Sequence, residues 1–105
     1  MKTDERAMLI DMETLERVAP VIRHAAHPLR LRIMDYLQVT GRDCSVTEIT
    51  AASGASQAMV SQQLRILKDA GVLYCRREGS FVLYGIANPN VLLLLECIRR
   101  HGDCQ

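Results

Sequence analysis

The sequence lacks an apolar run long enough to cross a membrane. Its longest candidate, Val91 to Leu95, holds five residues, where a span needs about 18. The N-terminus carries acidic residues and no apolar segment, so it does not read as a secretory signal. Cys-x-x-Cys, His-Glu-x-x-His, a glycine-rich phosphate loop and a Ser/His/Asp arrangement are all missing. With 105 residues there is little room for a separate cleft-bearing domain. These absences argue against an enzyme and leave no bound cofactor to expect. No repeat, low-complexity stretch or linker divides the chain, so residues 1–105 read as one domain. The simplest expectation is a cytoplasmic protein without membrane contact. There its four cysteines stay reduced and unpaired.

Strong charge of one sign is also missing: the net charge is +1. Its distribution is uneven. Residues 1–19 hold three basic and five acidic side chains, a net of −2. Residues 56–77 hold Arg65, Lys68, Arg76 and Arg77 against Asp69, a net of +3. The basic charge collects where an electrostatic footprint for nucleic acid would lie.

That region contains the most informative segment, Ser56 to Asp69. Ser56 is a natural N-cap, since its hydroxyl can accept from free amides of the first turn. Val60, Leu64 and Leu67 recur at helical spacing and predict a buried stripe, with Met59, Gln63 and Ile66 beside it. The opposite face carries Gln57, Ser61, Gln62 and Arg65, which suit base edges and phosphates. Gly71 ends the helix. Ser45 with Glu48 forms a capping box for a short helix over residues 46–52, and Gly54 makes the turn between the two helices. Together they predict a helix-turn-helix.

Upstream, Met8, Met12, Leu15 and Ala19 predict a helix over residues 4–19. Pro20 opens a second, two-turn helix over 21–26, and His27-Pro28 breaks it. A third helix runs from Pro28 to about Leu37 and buries Leu29, Ile33, Met34 and Leu37. Gly41 to Cys44 is a loop. After Gly71 the period changes. Residues 72–77 and 81–86 read as strands around the short loop Glu78-Gly79-Ser80, a hairpin. Asn88 caps a last helix running from Val91 to about His101. The predicted fold is mainly α with a β-hairpin wing, a winged helix-turn-helix.

In this order of elements, over roughly residues 20–101, the sequence resembles the ArsR/SmtB family of small bacterial repressors. The matching segments are His27-Pro28-Leu29-Arg30-Leu31-Arg32-Ile33, Ser45-Val46-Thr47-Glu48-Ile49, the run from Ser56 to Lys68, Ala70-Gly71-Val72-Leu73, and Arg76-Arg77-Glu78-Gly79. The resemblance implies a homodimer held by the first and last helices and bound to an inverted repeat in double-stranded DNA near its own promoter. The residues agree with a dimer, because the last helix is apolar on more than one face. Met8, Met12, Leu15, Leu92, Leu95 and Ile98 are the expected interface. Two reading helices about 34–36 Å apart would enter successive major grooves. Ser56, Gln57, Ser61, Gln62, Gln63 and Arg65 are the expected contacts of the reading helix, and Arg76, Arg77 and Ser80 those of the wing. A winged helix that binds a protein instead of DNA is the alternative; the polar helix face and paired wing arginines speak against it.

The inducing signal is less legible. Family members often carry a Cys-x-Cys thiolate pair where this chain has Ser45-Val46-Thr47, and hydroxyls are poor ligands for soft metals. Others bind zinc, nickel or cobalt at the last helix. Here the counterparts are Asn88, Asn90, His101 and Cys104, half of them amides, so no metal site is expected. A metal-responsive repressor with a degenerate site at this helix remains the second alternative. A third subgroup senses persulfides or oxidants through two cysteines. Cys104 resembles the second of these, while Asp35 replaces the first, for which Cys44 in the following loop is the substitute. Cys44 and Cys104 are therefore the candidate redox residues, with a small inducer or oxidant as the signal. Cys97, among leucines, and Cys75, on a strand, are expected to be packed. His24 and His27 are expected to be structural.

Overall fold

The computed structural model describes residues 8–103. Helix α1 spans Met12–Ala25, α2 Pro28–Thr40, α3 Val46–Ser53, α4 Gln57–Asp69 and α5 Asn90–Asp103. The strands are β1 Cys44–Ser45, β2 Leu73–Glu78 and β3 Phe81–Ile86. They form an antiparallel sheet in the order β1-β3-β2. The whole is a winged helix-turn-helix: α3 and α4 make the helical pair, and β2 with β3 the wing. No helix among the described residues is long and apolar enough to cross a membrane.

Local chemistry accounts for most boundaries. The His27 ring accepts from the Leu29 amide at 3.2 Å, and Pro28 sits in the first turn of α2. Gly41 stops that helix in the left-handed region, at φ +68°. The capping box of α3 is complete: Ser45 Oγ accepts from the Glu48 amide at 3.2 Å, and the Ser45 amide donates to Glu48 Oε1 at 3.2 Å. At the wing tip Glu78 pairs with Phe81, leaving Gly79 and Ser80 as the loop, with Gly79 at φ +63°. A two-residue hairpin loop with glycine first suits the twist of its strands.

The first part of the chain departs from expectation. Pro20 lies inside α1 rather than opening a separate helix. A proline in a helix interior costs about 3 kcal/mol. Here the helix runs on because Val21 and Ala25, in the turns that follow, pack against the core. The helix begins later than expected, at Met12, where the Asp11 side chain caps the Thr14 amide at 3.1 Å. The segment 9–11 is not helical, and residues 1–7 lie outside the described residues. The two-residue strand β1 was not foreseen; it pairs Cys44 with Tyr84 and Ser45 with Leu83.

The core lies between α2, α3, α4 and the base of the wing. Ile33, Met34, Ile49, Val60, Leu64, Leu67 and Val72 are fully buried. Val91 and Leu95 of α5 close it. Leu29 is half-buried against it. Leu95, expected to face a partner, is thus taken up by the protomer's own core. Cys97, expected in the core, is exposed, because it falls off the Val91–Leu95 face of α5.

Candidate nucleic-acid interface

Helix α4 divides cleanly between its two sides. Val60, Leu64 and Leu67 have no exposed surface and hold the helix against α2 and α3. Ser56 caps it by accepting from the Met59 amide at 3.2 Å. Gln57, Ser61, Gln62, Arg65 and Lys68 are exposed. Among the described residues, Arg65, Lys68 and Arg77 make no hydrogen bond or ion pair, so their donors face solvent. Arg77 and Ser80 are exposed towards the wing tip. A cationic, donor-rich surface on a rigid helix beside a projecting hairpin is what phosphate contacts and base-edge reading require.

Two expected contacts are engaged within the protein instead. Gln63 is buried, and its Oε1 accepts from Arg30 Nε at 2.6 Å. It belongs to the stripe of Val60 and Leu64 rather than to the reading face. Its place three residues after Val60 and four before Leu67 was the signal for this in the sequence. Arg76 is engaged by two carboxylates. Its Nε donates to Asp43 Oδ2 at 2.6 Å and its Nη1 to Glu78 Oε2 at 2.8 Å. That pairing offsets the charge that Arg76 would bring to a phosphate.

The Tyr74 hydroxyl also reaches Asp43, donating to Oδ1 at 2.5 Å. This bond first, then Arg76, holds the Asp43 carboxyl below its ordinary value. Accepting from Tyr74 makes Asp43 the main cause that raises the Tyr74 hydroxyl above its own. At the start of α3, Arg42 lowers the Glu48 carboxyl through a hydrogen bond of 2.6 Å, and the Ser45 amide adds to it. No local pattern in the sequence pointed to Asp43.

The donor sets for metals do not fit. Asn88 Oδ1 accepts from the Asn90 amide at 3.0 Å, which makes it a cap for α5. Among the described residues no three His, Cys, Asp or Glu side chains converge. Amides and hydroxyls at the family's ligand positions are poor partners for soft or borderline cations. His24 Nδ1 donates to the Pro20 carbonyl at 2.7 Å, and His27 caps α2, so both imidazoles hold backbone.

The thiols are scattered. Cys44 is fully buried, 3.5 Å from Thr40 Oγ1 and 3.6 Å from Arg42 Nη1. This corrects its expected role, since a sensing thiol must be reached by its oxidant. Cys75 is half-buried, and Tyr84 stands between it and Cys44 in the sheet. Two strand spacings exceed the reach of a disulfide. Asp35, at the position of a sensing cysteine, is ion-paired with Arg99 of α5. Cys104 lies outside the described residues. Of the expected interface, Met8, Met12, Leu15 and Ile98 are exposed and Leu92 is half-buried.

Residues 27–74 match the family model of the bacterial regulatory proteins of the arsR family. The chain is 39% identical over 83 residues to an uncharacterised HTH-type transcriptional regulator of Mycobacterium tuberculosis, covering 78% of this chain and 71% of that one. It is 34% identical over 92 residues to the HTH-type transcriptional repressor SmtB of the same species, covering 87% and 67%. Among solved structures it is similar to a homodimeric winged helix-turn-helix DNA-binding domain of Mycobacterium bovis. That likeness has a TM-score of 0.70 and 30% identity over 97% of this chain and 88% of that one.

Proposed function

This chain belongs to the arsR family of bacterial regulatory proteins and is a DNA-binding winged-helix transcriptional repressor, and on that premise we propose that it acts as a homodimer on an inverted-repeat operator and is released by a chemical signal. The observation that carries the reading is the exposed row Gln57, Ser61, Gln62 and Arg65 on a helix whose other face is locked into the core. Ser56 at the helix start and Arg77 and Ser80 on the wing extend the surface to flanking phosphates. Dimerisation is supported by apolar side chains left in solvent on α1 and α5: Met12 is 66% exposed, Ile22 51% and Leu93 69%. A second copy related by a two-fold axis would cover both rows at once.

The test is fluorescence anisotropy on a labelled duplex from the region upstream of its own gene, across a salt series. Affinity that falls steeply with salt supports the reading. Absence of binding at every salt concentration favours a protein-binding winged helix instead.

For the signal we propose oxidation or persulfidation of thiols at the C-terminal end. Cys97 is exposed on α5, which also carries the apolar row given to the dimer, and Cys104 follows it in sequence. Metal-free protein treated with polysulfide should lose affinity for the duplex, and a reductant should restore it. Cys97→Ser or Cys104→Ser should abolish the effect, whereas unchanged affinity after treatment rejects a thiol switch. A second reading rests on a cavity of about 350 Å³ between α1 and α5, lined by Val18, Val21, Ala25, Val91 and Leu94 with Arg17, Asn88 and Asn90. Its size and apolar walls fit a small organic inducer. Release of DNA by such a compound, without any thiol chemistry, would favour it.

A further inference from the structure

Asp43 lies in the loop between α2 and β1, outside every segment that touches DNA in the proposed complex. Its two oxygens are both used by the wing. Oδ1 accepts from the Tyr74 hydroxyl at 2.5 Å and Oδ2 from Arg76 Nε at 2.6 Å. Tyr74 and Arg76 are two positions apart on β2 and so share a face. Gly85, opposite Tyr74 on β3, leaves the path open. A Cβ at Gly85 would stand 2.5 Å from the Tyr74 Cζ and hydroxyl oxygen and would also collide with Asp43 Oδ1. Glu78 continues the chain outward, accepting from Arg76 Nη1 at 2.8 Å.

The wing needs such a tie. β1 contributes two pairings, and its ladder ends at Ser45 opposite Leu83. Beyond that point, residues 77–82 have their own hairpin ladder as sheet, and an isolated hairpin is marginal in water. Asp43 precedes β1 and α3 directly, so it joins the wing to the start of the helix-turn-helix.

We propose that Asp43 is a positioning residue for the wing: it grips Tyr74 and Arg76 across Gly85, and Arg76 serves DNA binding through Asp43 rather than by touching a phosphate. This rests on the proposed DNA-binding function. Arg77 is the wing arginine that meets DNA. The grip fixes the wing beside α4 before DNA arrives, so less ordering remains to be done on binding.

Two measurements on the full chain test it. The first needs no DNA: amide hydrogen exchange of the wing, residues 76–83, relative to α4. Asp43→Asn and Gly85→Ala should both speed exchange in the wing and leave α4 unchanged. Gly85→Ala is the sharper variant, because it removes no charge and no hydrogen-bonding group. Unchanged wing exchange in Asp43→Asn overturns the proposal, whether or not Gly85→Ala folds.

The second is anisotropy on the labelled upstream duplex and a scrambled duplex of equal length. Asp43→Asn and Arg76→Ala should each weaken binding about two- to tenfold, the range of one or two hydrogen bonds. Their double variant should be no weaker than the worse single one, since both break one tie. The salt slope should stay at the wild-type value, and Arg76→Lys, which keeps the charge without the fork, should not restore affinity. Arg77→Ala should lower the slope by about one. The proposal fails if Arg76→Ala lowers the slope by that amount, if Arg76→Lys restores binding, or if Asp43→Asn tightens it. Should the wild-type chain ignore both duplexes, the DNA-binding function falls, and the exchange measurement alone decides the grip.

Discussion

Gln63 and Arg30 meet at 2.6 Å, side-chain oxygen to guanidinium Nε, inside the seam between α2 and α4. Arg30 Nη1 also donates to the His24 carbonyl near the end of α1, at 3.0 Å. One guanidinium therefore ties α1 and α2 to the buried side of α4. The bond lies among apolar neighbours, where a charge-assisted hydrogen bond is strong and a broken one costly. With the buried stripe of Val60, Leu64 and Leu67 it holds the side of the helix opposite Gln57, Ser61 and Gln62.

Gln63→Leu keeps the volume and removes the acceptor. We expect a loss of about 1–3 kcal/mol in folding stability, the cost of stranding a half-buried donor. Gln62→Ala, one residue earlier on the exposed side, should alter stability by less than about 0.5 kcal/mol while weakening the binding of DNA. Urea denaturation and duplex anisotropy on the two variants separate the roles. A Gln63→Leu protein as stable as wild type would remove Arg30 from this account.

Arg65 and Arg77 make no ion pair among the described residues. Removing either should reduce the slope of log affinity against log salt by about 0.9 for each phosphate that side chain neutralises. The folded state should be unaffected, since neither side chain packs in the core. A slope equal to wild type after Arg77→Ala would place the wing off the DNA.

Leu93 and Leu95 sit two positions apart on α5 and should behave in opposite ways. Leu95 is 4% exposed, so Leu95→Ala should cost about 2–5 kcal/mol of folding stability. Leu93 is 69% exposed, and Leu93→Lys should leave the fold intact while shifting sedimentation towards the monomer. A dimer unchanged by Leu93→Lys would move the interface off this face of α5.

The wing tie should give stability a dependence on pH at both extremes. Asp43 is held below its ordinary 3.8, chiefly by the Tyr74 hydroxyl and then by Arg76. The native state binds that proton more weakly than the unfolded chain does. Its contribution is therefore complete above 3.8 and is lost as pH falls through the native value. Tyr74 is raised above 10.0, with Asp43 as the main cause. Its contribution is complete below 10.0 and is lost as pH rises through the native value. Thermal midpoints across the acid and alkaline limbs test this. Asp43→Asn should flatten both limbs; Tyr74→Phe should remove the alkaline one and, by taking away the main cause that lowers Asp43, flatten much of the acid one. Parallel curves for wild type and Asp43→Asn would contradict the assignment.

Much of the architecture was legible because its causes are local. Ser56 caps α4 through an amide three residues away, and Ser45 with Glu48 closes a box over the same distance. The stripe of Val60, Leu64 and Leu67 needs only the period of a helix, and Gly79 only the turn it occupies. These features lie within one or two turns of chain, so residue order alone determines them, and with them the winged helix and the location of its exposed polar face.

Tertiary structure decided what depends on partners far along the chain. Arg30 and Gln63 are 33 residues apart, as are Asp43 and Arg76. A helical period can place Gln63 near the edge of a stripe, but it cannot supply the guanidinium that draws it inward. Arg76 and Arg77 are adjacent and chemically alike in sequence. Strand alternation sends them to opposite faces, and only the packed loop shows that one face holds a carboxylate. Leu95 and Cys97 were separated in the same way, by which side of α5 the core reached first. Pro20 stayed helical because the packing of Val21 and Ala25 after it outweighed its local cost. Local order specifies elements and their faces; what each face meets is settled only when distant segments compete for the same space.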